Sequence, residues 1–361
     1  MENNRDSITP NQLMTFIVSC QIGIGILTLP AKLAEKAGHN GWISVIISTF
    51  ICFILITIIV LLLKRYDSKS IIQINSLLYG KYIGNLINCY FIFYLLLTST
   101  LLIRSLTDII QIMILSYTPV LIICFVSITT TFYLSNFGLK SICRYAIIIY
   151  FVIAITIILC FVVSGHFKLT FLMPVGEGGL YKIVSSLKVS ALSFIGFELV
   201  SIVYPYVTDK NKVLKKTLGA NLITGLHYLL VVSSCTALYG ENFLKRLEYP
   251  LFNMSRIYQA PIFERLDLFY VTLWLPAMAG TTMMYFYCTQ LAIRDLFKIK
   301  PKMIYIIIHI ILLIFLSRIP RNTFDLEKYF NYLNITAVSI MVLFILSYFF
   351  SFINKRGVRK K

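Results

Sequence analysis

Residues 21–30 read Gln21-Ile22-Gly23-Ile24-Gly25-Ile26-Leu27-Thr28-Leu29-Pro30, in the middle of an apolar stretch from about residue 11 to residue 33. Glycine costs about 1 kcal/mol in a helix interior and admits irregular backbone, so two of them at mid-stretch weaken a helix there. Membrane helices that pack closely carry small residues four apart, on one face. Residues two apart point to opposite sides, and the spacing therefore predicts an unwound segment rather than a packing seam. A second such place is Ser193-Phe194-Ile195-Gly196-Phe197-Glu198, with a glycine and a carboxylate near the centre of the stretch 182–207 and Pro205 beyond them.

These stretches belong to a recurring pattern. Crossing roughly 30 Å of hydrocarbon takes about 20 residues at 1.5 Å rise, and residues 43–63 supply that length without a single charge. Comparable segments lie at 11–33, 41–63, 84–110, 118–135, 144–164, 182–207, 217–239, 268–293, 303–318 and 332–353. The expected fold is all-α and integral to a membrane, with ten transmembrane helices and no sizeable soluble domain. Composition agrees: 58% of the 361 residues are hydrophobic and 13% charged, against roughly 45–50% and 25% in soluble domains, and the mean hydropathy is +0.82. Residues 1–10 lack the basic region and cleavage site of a signal peptide, so the first helix is expected to be retained.

The formal net charge of +18 could suggest nucleic acid, but its placement excludes that reading. Arg5 and the segments 64–81, 140–144, 210–216, 294–302 and 355–361 hold 20 of the 33 Lys and Arg residues. All fall in alternate loops, so the positive-inside rule predicts both termini on the cytoplasmic side. The eight cysteines are scattered through apolar segments without a CxxC pair or a histidine at ligand spacing. They read as small buried apolar residues, and no metal site or cofactor is expected. Nothing resembles a nucleophile with its base, a phosphate loop or a carboxylate pair, so no catalytic residue is assigned and the chain is not expected to be an enzyme.

The two breaks lie five crossings apart and so run through the membrane in opposite directions, the signature of an inverted repeat. This divides the single membrane domain into five-helix repeats at 11–164 and 182–353, followed by a basic tail at 354–361. In such 5+5 folds, with broken helices 1 and 6, half-helix amide ends meet an anion at the midplane while freed carbonyls meet a cation. A zwitterion such as an amino acid satisfies both. Glu198 costs at least about 2.5–3.5 kcal/mol to insert, so it faces either a cavity or a partner. Two readings stay open: a functional charge, or an anchor tying the broken helix to a neighbour.

Weaker candidates follow. Met278, Thr281 and Thr282 place three oxygens on one helix face, as a cation site would require, although threonines commonly bond back to their own helix. Thr98 lies where the third helix could reach the pocket. Arg104 and Asp108, four apart, are expected to neutralise each other. His227 and His309 read as hydrogen-bonded packing residues. The walls near Ile24, Phe194 and Phe197 look apolar, which favours a small neutral ligand.

Residues 23–30 (GIGILTLP) and 194–198 (FIGFE) resemble the first- and sixth-helix motifs of the amino acid, polyamine and organocation transporter superfamily. Residues 8–13 (ITPNQL), 34–42 (AEKAGHNGW) and the loop 239–267, including 261–267 (PIFERLD), resemble the B subunit of spore germinant receptors more closely, over nearly the whole chain. That resemblance implies a multi-pass protein of the spore inner membrane, a small-molecule germinant, and partnership with an A subunit and a C lipoprotein subunit. It also implies roles by position. Gly23, Ile24, Gly25 and Ile26 would offer amides to a carboxylate, and Phe194, Ile195 and Gly196 carbonyls to an ammonium. The rivals to a ligand-sensing subunit are an amino acid or amine symporter acting alone, and a structural or pore-forming subunit.

Overall fold

The computed structural model describes residues 6–177, 179–257, 266–298 and 303–354. Arg5, Lys300, Lys302, the resemblance run at 261–265 and the tail beyond Asn354 lie outside the described residues.

The first crossing is two helices, α1 (Pro10–Gln21) and α2 (Gly25–Ala37). Local chemistry sets where α1 begins: Thr9 Oγ1 accepts from Gln12 N at 3.3 Å and Gln12 Oε1 from Thr9 N at 2.9 Å. This is a capping box with Pro10 at the first helical position, where its missing N–H costs nothing. The break falls at residues 22–24, as the glycine spacing predicts. After α3 (Gly41–Arg65) comes α4 (Ile71–Met113), a long helix interrupted at Gly80. The segment 71–79, read from sequence as part of a loop, is helical and folds back on the crossing. Asn75 and Asn88 side chains bond at 2.9 Å, and Asn88 Nδ2 donates to the Ile72 carbonyl.

The first half closes with α5 (Val120–Ser135), α6 (Leu139–Tyr145) and α7 (Ile148–Val163). In the sixth crossing α8 (Gly179–Ser193) stops at the second break, and the chain resumes through α9 (Val200–Val203), with a 48° bend between the two parts. Then follow α10 (Val213–Leu244), the short α11 (Pro250–Met254), α12 (Leu266–Phe297), α13 (Met303–Ser317) and α14 (Thr323–Ile353). Among the described residues five helical segments, or six with the bent pair α8–α9 taken as one, are long and apolar enough to cross a membrane, and the only β pairing is one isolated bridge between Ile8 and Val207.

Corresponding helices of the two halves face each other: α2 packs on α8, α3 on α10, α4 on α12 and α5 on α13. This is the arrangement an inverted repeat produces, with both breaks at its centre. The periphery is apolar, with Phe50, Ile54, Phe151 and Phe161 exposed, as lipid-facing positions require. Both described chain ends lie on one side, here the terminal face. The opposite side, carrying residues 240–257, is the loop face.

Candidate ligand site

The breaks are packed against each other. Gly196 sits at φ +126°, a conformation that L side chains rarely adopt, and a Cβ there would lie 2.8 Å from the Cys20 carbonyl carbon. Across from it, a Cβ on Gly25 would meet Ser193 Oγ at 3.3 Å. Gly196 thus faces the backbone beside the first break and Gly25 faces Ser193 at the second, while a Cβ on Gly23 would meet Thr281 Oγ1 of α12 at 2.9 Å.

Side chains that the sequence reading did not single out hold this junction. Gln21 Nε2 donates to the Phe194 carbonyl at 3.0 Å and to Asn221 Oδ1 at 3.2 Å, while Gln21 Oε1 accepts from Thr224 at 2.8 Å. The Tyr228 hydroxyl is shared between the Gln21 carbonyl at 2.6 Å and the Ser193 carbonyl at 2.8 Å, one from each break. Broken helices release backbone groups that hydrocarbon cannot solvate, and these side chains satisfy several of them. Their only sequence signal is polarity within apolar helices, which does not say what they bond.

Glu198 is fully buried below the junction. Its Oε1 accepts from Tyr94 Oη and Tyr285 Oη, both at 2.8 Å, and its Oε2 from Gly196 N at 2.8 Å. The carboxylate thus ties α4, α12 and the second break together, the geometry of an anchor. It does not line the cavity described next.

A cavity of about 350 Å³ opens above the junction toward the loop face. Its floor is Gln21, Gly23, Ile24 and Gly25 of the first break and Ser193 and Ile195 of the second. Thr98, Thr281 and Tyr285 complete it from α4 and α12, and Leu29, Leu102, Val189 and Leu192 supply apolar wall. Pockets of roughly 300–1,000 Å³ with apolar walls and a few convergent polar groups are the usual form of small-molecule sites. Near the mouth, Lys32 Nζ stands 3.8 Å from Glu327.

Several sequence expectations are corrected here. Ile26, Phe194, Gly196, Phe197 and Glu198 are buried beside the cavity rather than on its surface. The Phe194 ring packs on Tyr228, with centroids 5.0 Å apart, because the chain turns it away from the opening. Of the three carbonyls expected to face a cation, Phe194 accepts from Gln21 and Gly196 from Leu199 N. Among the described residues Ile195 alone of the three keeps its carbonyl without such a bond. Of the four amides expected to meet a carboxylate, Gly23 N is bonded to the Gln21 carbonyl at 3.0 Å and Ile26 is buried. Gly25, at the start of α2 where the first N–H groups of a helix have no intrahelical acceptor, is partly exposed and lines the cavity.

Thr282 bonds back to the Met278 carbonyl at 3.0 Å, and Thr281 donates to the Ser19 carbonyl at 2.8 Å. These oxygens tie α12 to itself and to α1. Thr98 lines the cavity but donates to the Tyr94 carbonyl. Arg104 and Asp108 pair at 2.9 Å as expected. His309 contacts Gln290, whereas among the described residues neither His227 nitrogen has a hydrogen-bond partner, so His227 packs there without the bond expected of it. Seven cysteines are buried, and Cys89 is exposed. Among the described residues, no three His, Cys, Asp or Glu side chains converge to hold a metal ion.

The sequence matches the spore germination protein family over residues 7–326. The chain belongs to that family. Its relatives include spore germination protein B2 of Bacillus subtilis (strain 168), 26% identical across 99% of this chain and 98% of that one. Spore germination protein A2 of the same organism is 27% identical over 98% and 99%, and spore germination protein GerQB of Bacillus cereus 23% over 86% and 85%. Among solved structures, the manganese transporter of Eremococcus coleocola aligns with a TM-score of 0.58 at 10% identity, covering 90% of this chain and 74% of the transporter. That likeness establishes a shared membrane transporter fold. The chain is thus a multi-pass membrane protein of the spore germination family rather than an enzyme.

Proposed function

We propose that this chain is the B-type membrane subunit of a germinant receptor, and that it binds a small zwitterionic germinant, an amino acid, in the cavity above the two helix breaks. The observation that carries this reading is the cavity floor, built from both breaks, with free amides at the start of α2 and the Ile195 carbonyl at the far side. An α-carboxylate fits the positive end of α2, and an ammonium fits the carbonyl. Apolar walls leave room for a small uncharged side chain.

Ligand binding triggers germination only if the ligand prefers one of two conformations. The breaks supply a movable element, because Tyr228 and Gln21 hold both at once. Within this reading the repeats are 11–164 and 182–353, the protein lies in the spore inner membrane, and the terminal face is cytoplasmic. The response passes to an A subunit and a C lipoprotein subunit. Basic residues concentrate on the terminal face, and the cavity opens on the other, which supports a ligand arriving from outside the spore core.

The test uses spores in which this chain is the only responding B-type subunit. Germination is measured against the concentration of small neutral amino acids, with subunit abundance in the membrane as the reference. Gly25→Val, which fills the floor, is expected to remove the response while the protein stays in the membrane. Normal concentration dependence in that variant would refute the site. Concentrative uptake of the same amino acid by this chain alone, without partner subunits, would instead favour the symporter.

A further inference from the structure

The run at residues 8–13 takes no part in the cavity. Thr9 and Gln12 cap α1, while the residues just before them lie against the chain that leaves the second break. Ile8 N donates to the Tyr206 carbonyl at 3.0 Å, and the Ile8 carbonyl accepts from Thr208 N at 3.0 Å and from Thr208 Oγ1 at 3.3 Å. This is the parallel bridge between Ile8 and Val207, and both side chains are buried. Beside it, Asp6 Oδ1 accepts from Leu139 N at the start of α6 at 3.0 Å and from Tyr287 Oη of α12 at 2.7 Å. Arg294, also on α12, donates to the Tyr206 hydroxyl. This short stretch thus joins the first crossing, the sixth crossing, α6 and α12 on the terminal face.

We infer that residues 6–8 are a strap that keeps the terminal side shut while the cavity responds, so that the ligand is sensed from the loop face and released there rather than passed across; this rests on the proposed cavity site. Because α1 begins at Pro10, the strap fixes the terminal-side half of the first crossing to that of the sixth. Main-chain bonds run in both directions between them, and a buried apolar pair lies between those bonds. α1 and the segment 197–208 are then one body, held to α6 through Asp6 and to α12 through Asp6 and Tyr206.

The loop-side halves are held differently. α2 and α8 pack on each other and carry Gly25, Leu29, Val189 and Leu192 on the cavity surface. Across the mouth, α2 meets α14 through the Lys32–Glu327 pair, which is partly exposed to solvent and so a weak tie. Movement that follows ligand binding is therefore taken up by α2 and α8, turning at the two breaks, while the terminal-side halves stay together. A carrier needs the opposite, since its terminal-side halves must part to let the ligand out.

The test locks the strap. Partners in a parallel bridge lie within the span a disulfide can close, so Ile8→Cys with Val207→Cys, in a Cys89→Ser background, is oxidised in spores where this chain is the only responding B-type subunit. Linkage is confirmed on the peptides. The probe is a mixture of the standard amino acids, with germination read before and after reduction. The half-maximal concentration is expected to agree within about twofold between locked and reduced chains, because a ligand shifts only an equilibrium between states it distinguishes, and the strap is the same in both. Response lost on locking and restored by reduction would overturn the inference. Gly25→Val in the same spores reads the cavity separately: a normal response there, with the locked chain also responding, sinks the cavity site and leaves the closed terminal side standing. Should the double variant not fold or not respond in either state, the native Cys20 on the cavity floor decides. In oriented proteoliposomes of the wild-type chain, a membrane-impermeant thiol reagent is expected to reach Cys20 from the loop face and not from the terminal face, with or without the amino acids. Labelling from the terminal face in either condition would overturn the strap.

Discussion

Gly196→Ala is the perturbation whose size the structure fixes best. An L residue held at φ +126° costs about 1–3 kcal/mol. The new methyl would also sit 2.8 Å from both the carbonyl carbon and the Cβ of Cys20, well inside ordinary contact, and overpacking of this kind adds about 1–3 kcal/mol. The obstruction includes backbone, so no rotamer change relieves it, and the two terms give about 2–6 kcal/mol. Gly25→Ala is the matched control in the facing break. It begins a regular helix, its methyl meets Ser193 Oγ at 3.3 Å, and alanine in place of glycine gains roughly 0.5–1 kcal/mol in a helix. The expected ranking is a Gly25→Ala protein close to wild type and a Gly196→Ala protein markedly less stable. Thermal melting of the detergent-purified chain, followed by size-exclusion chromatography of the surviving protein, reads the difference. A Gly196→Ala chain as stable as both others would show that the second break is not held in this geometry, and the cavity floor would go with it.

Three further outcomes follow from the same contacts. Glu198→Leu should lower the amount of folded protein more than Tyr285→Phe, because it strands three donors where the tyrosine change removes one, at about 1–3 kcal/mol for each donor left unpaired; equal abundance of the two variants would remove the anchor. Tyr228→Phe withdraws the donor shared by the Gln21 and Ser193 carbonyls and should cost about 1–3 kcal/mol, seen as a lower melting temperature; an unchanged melt would mean the breaks do not depend on that bridge. Single cysteines introduced at Asn242 and at Lys361 should label from opposite sides of the membrane, and labelling from the same side would contradict the proposed topology.

The amino-acid sequence determined the fold class and the two places where the helices fail. Apolar length, basic residues in alternate loops, and glycines at Gly23, Gly25 and Gly196 are local properties, and hydrocarbon turns them into structure because it leaves backbone groups few other choices. The Arg104–Asp108 pair was legible for the same reason, since its partners lie about one helical turn apart. Only the tertiary structure decided which side chains meet at the breaks. Gln21 finds Phe194, Asn221 and Thr224, and Tyr228 bridges two carbonyls that are far apart in sequence. Glu198 is claimed by Tyr94 and Tyr285 before any ligand could reach it. A polar residue in an apolar helix announces that it needs a partner, but its rotation about the helix axis, and so its choice of partner, is set by packing. That is why Phe194 and Phe197 turned away from a cavity they were expected to line, while Leu102, Val189 and Leu192, unremarkable in sequence, became its walls.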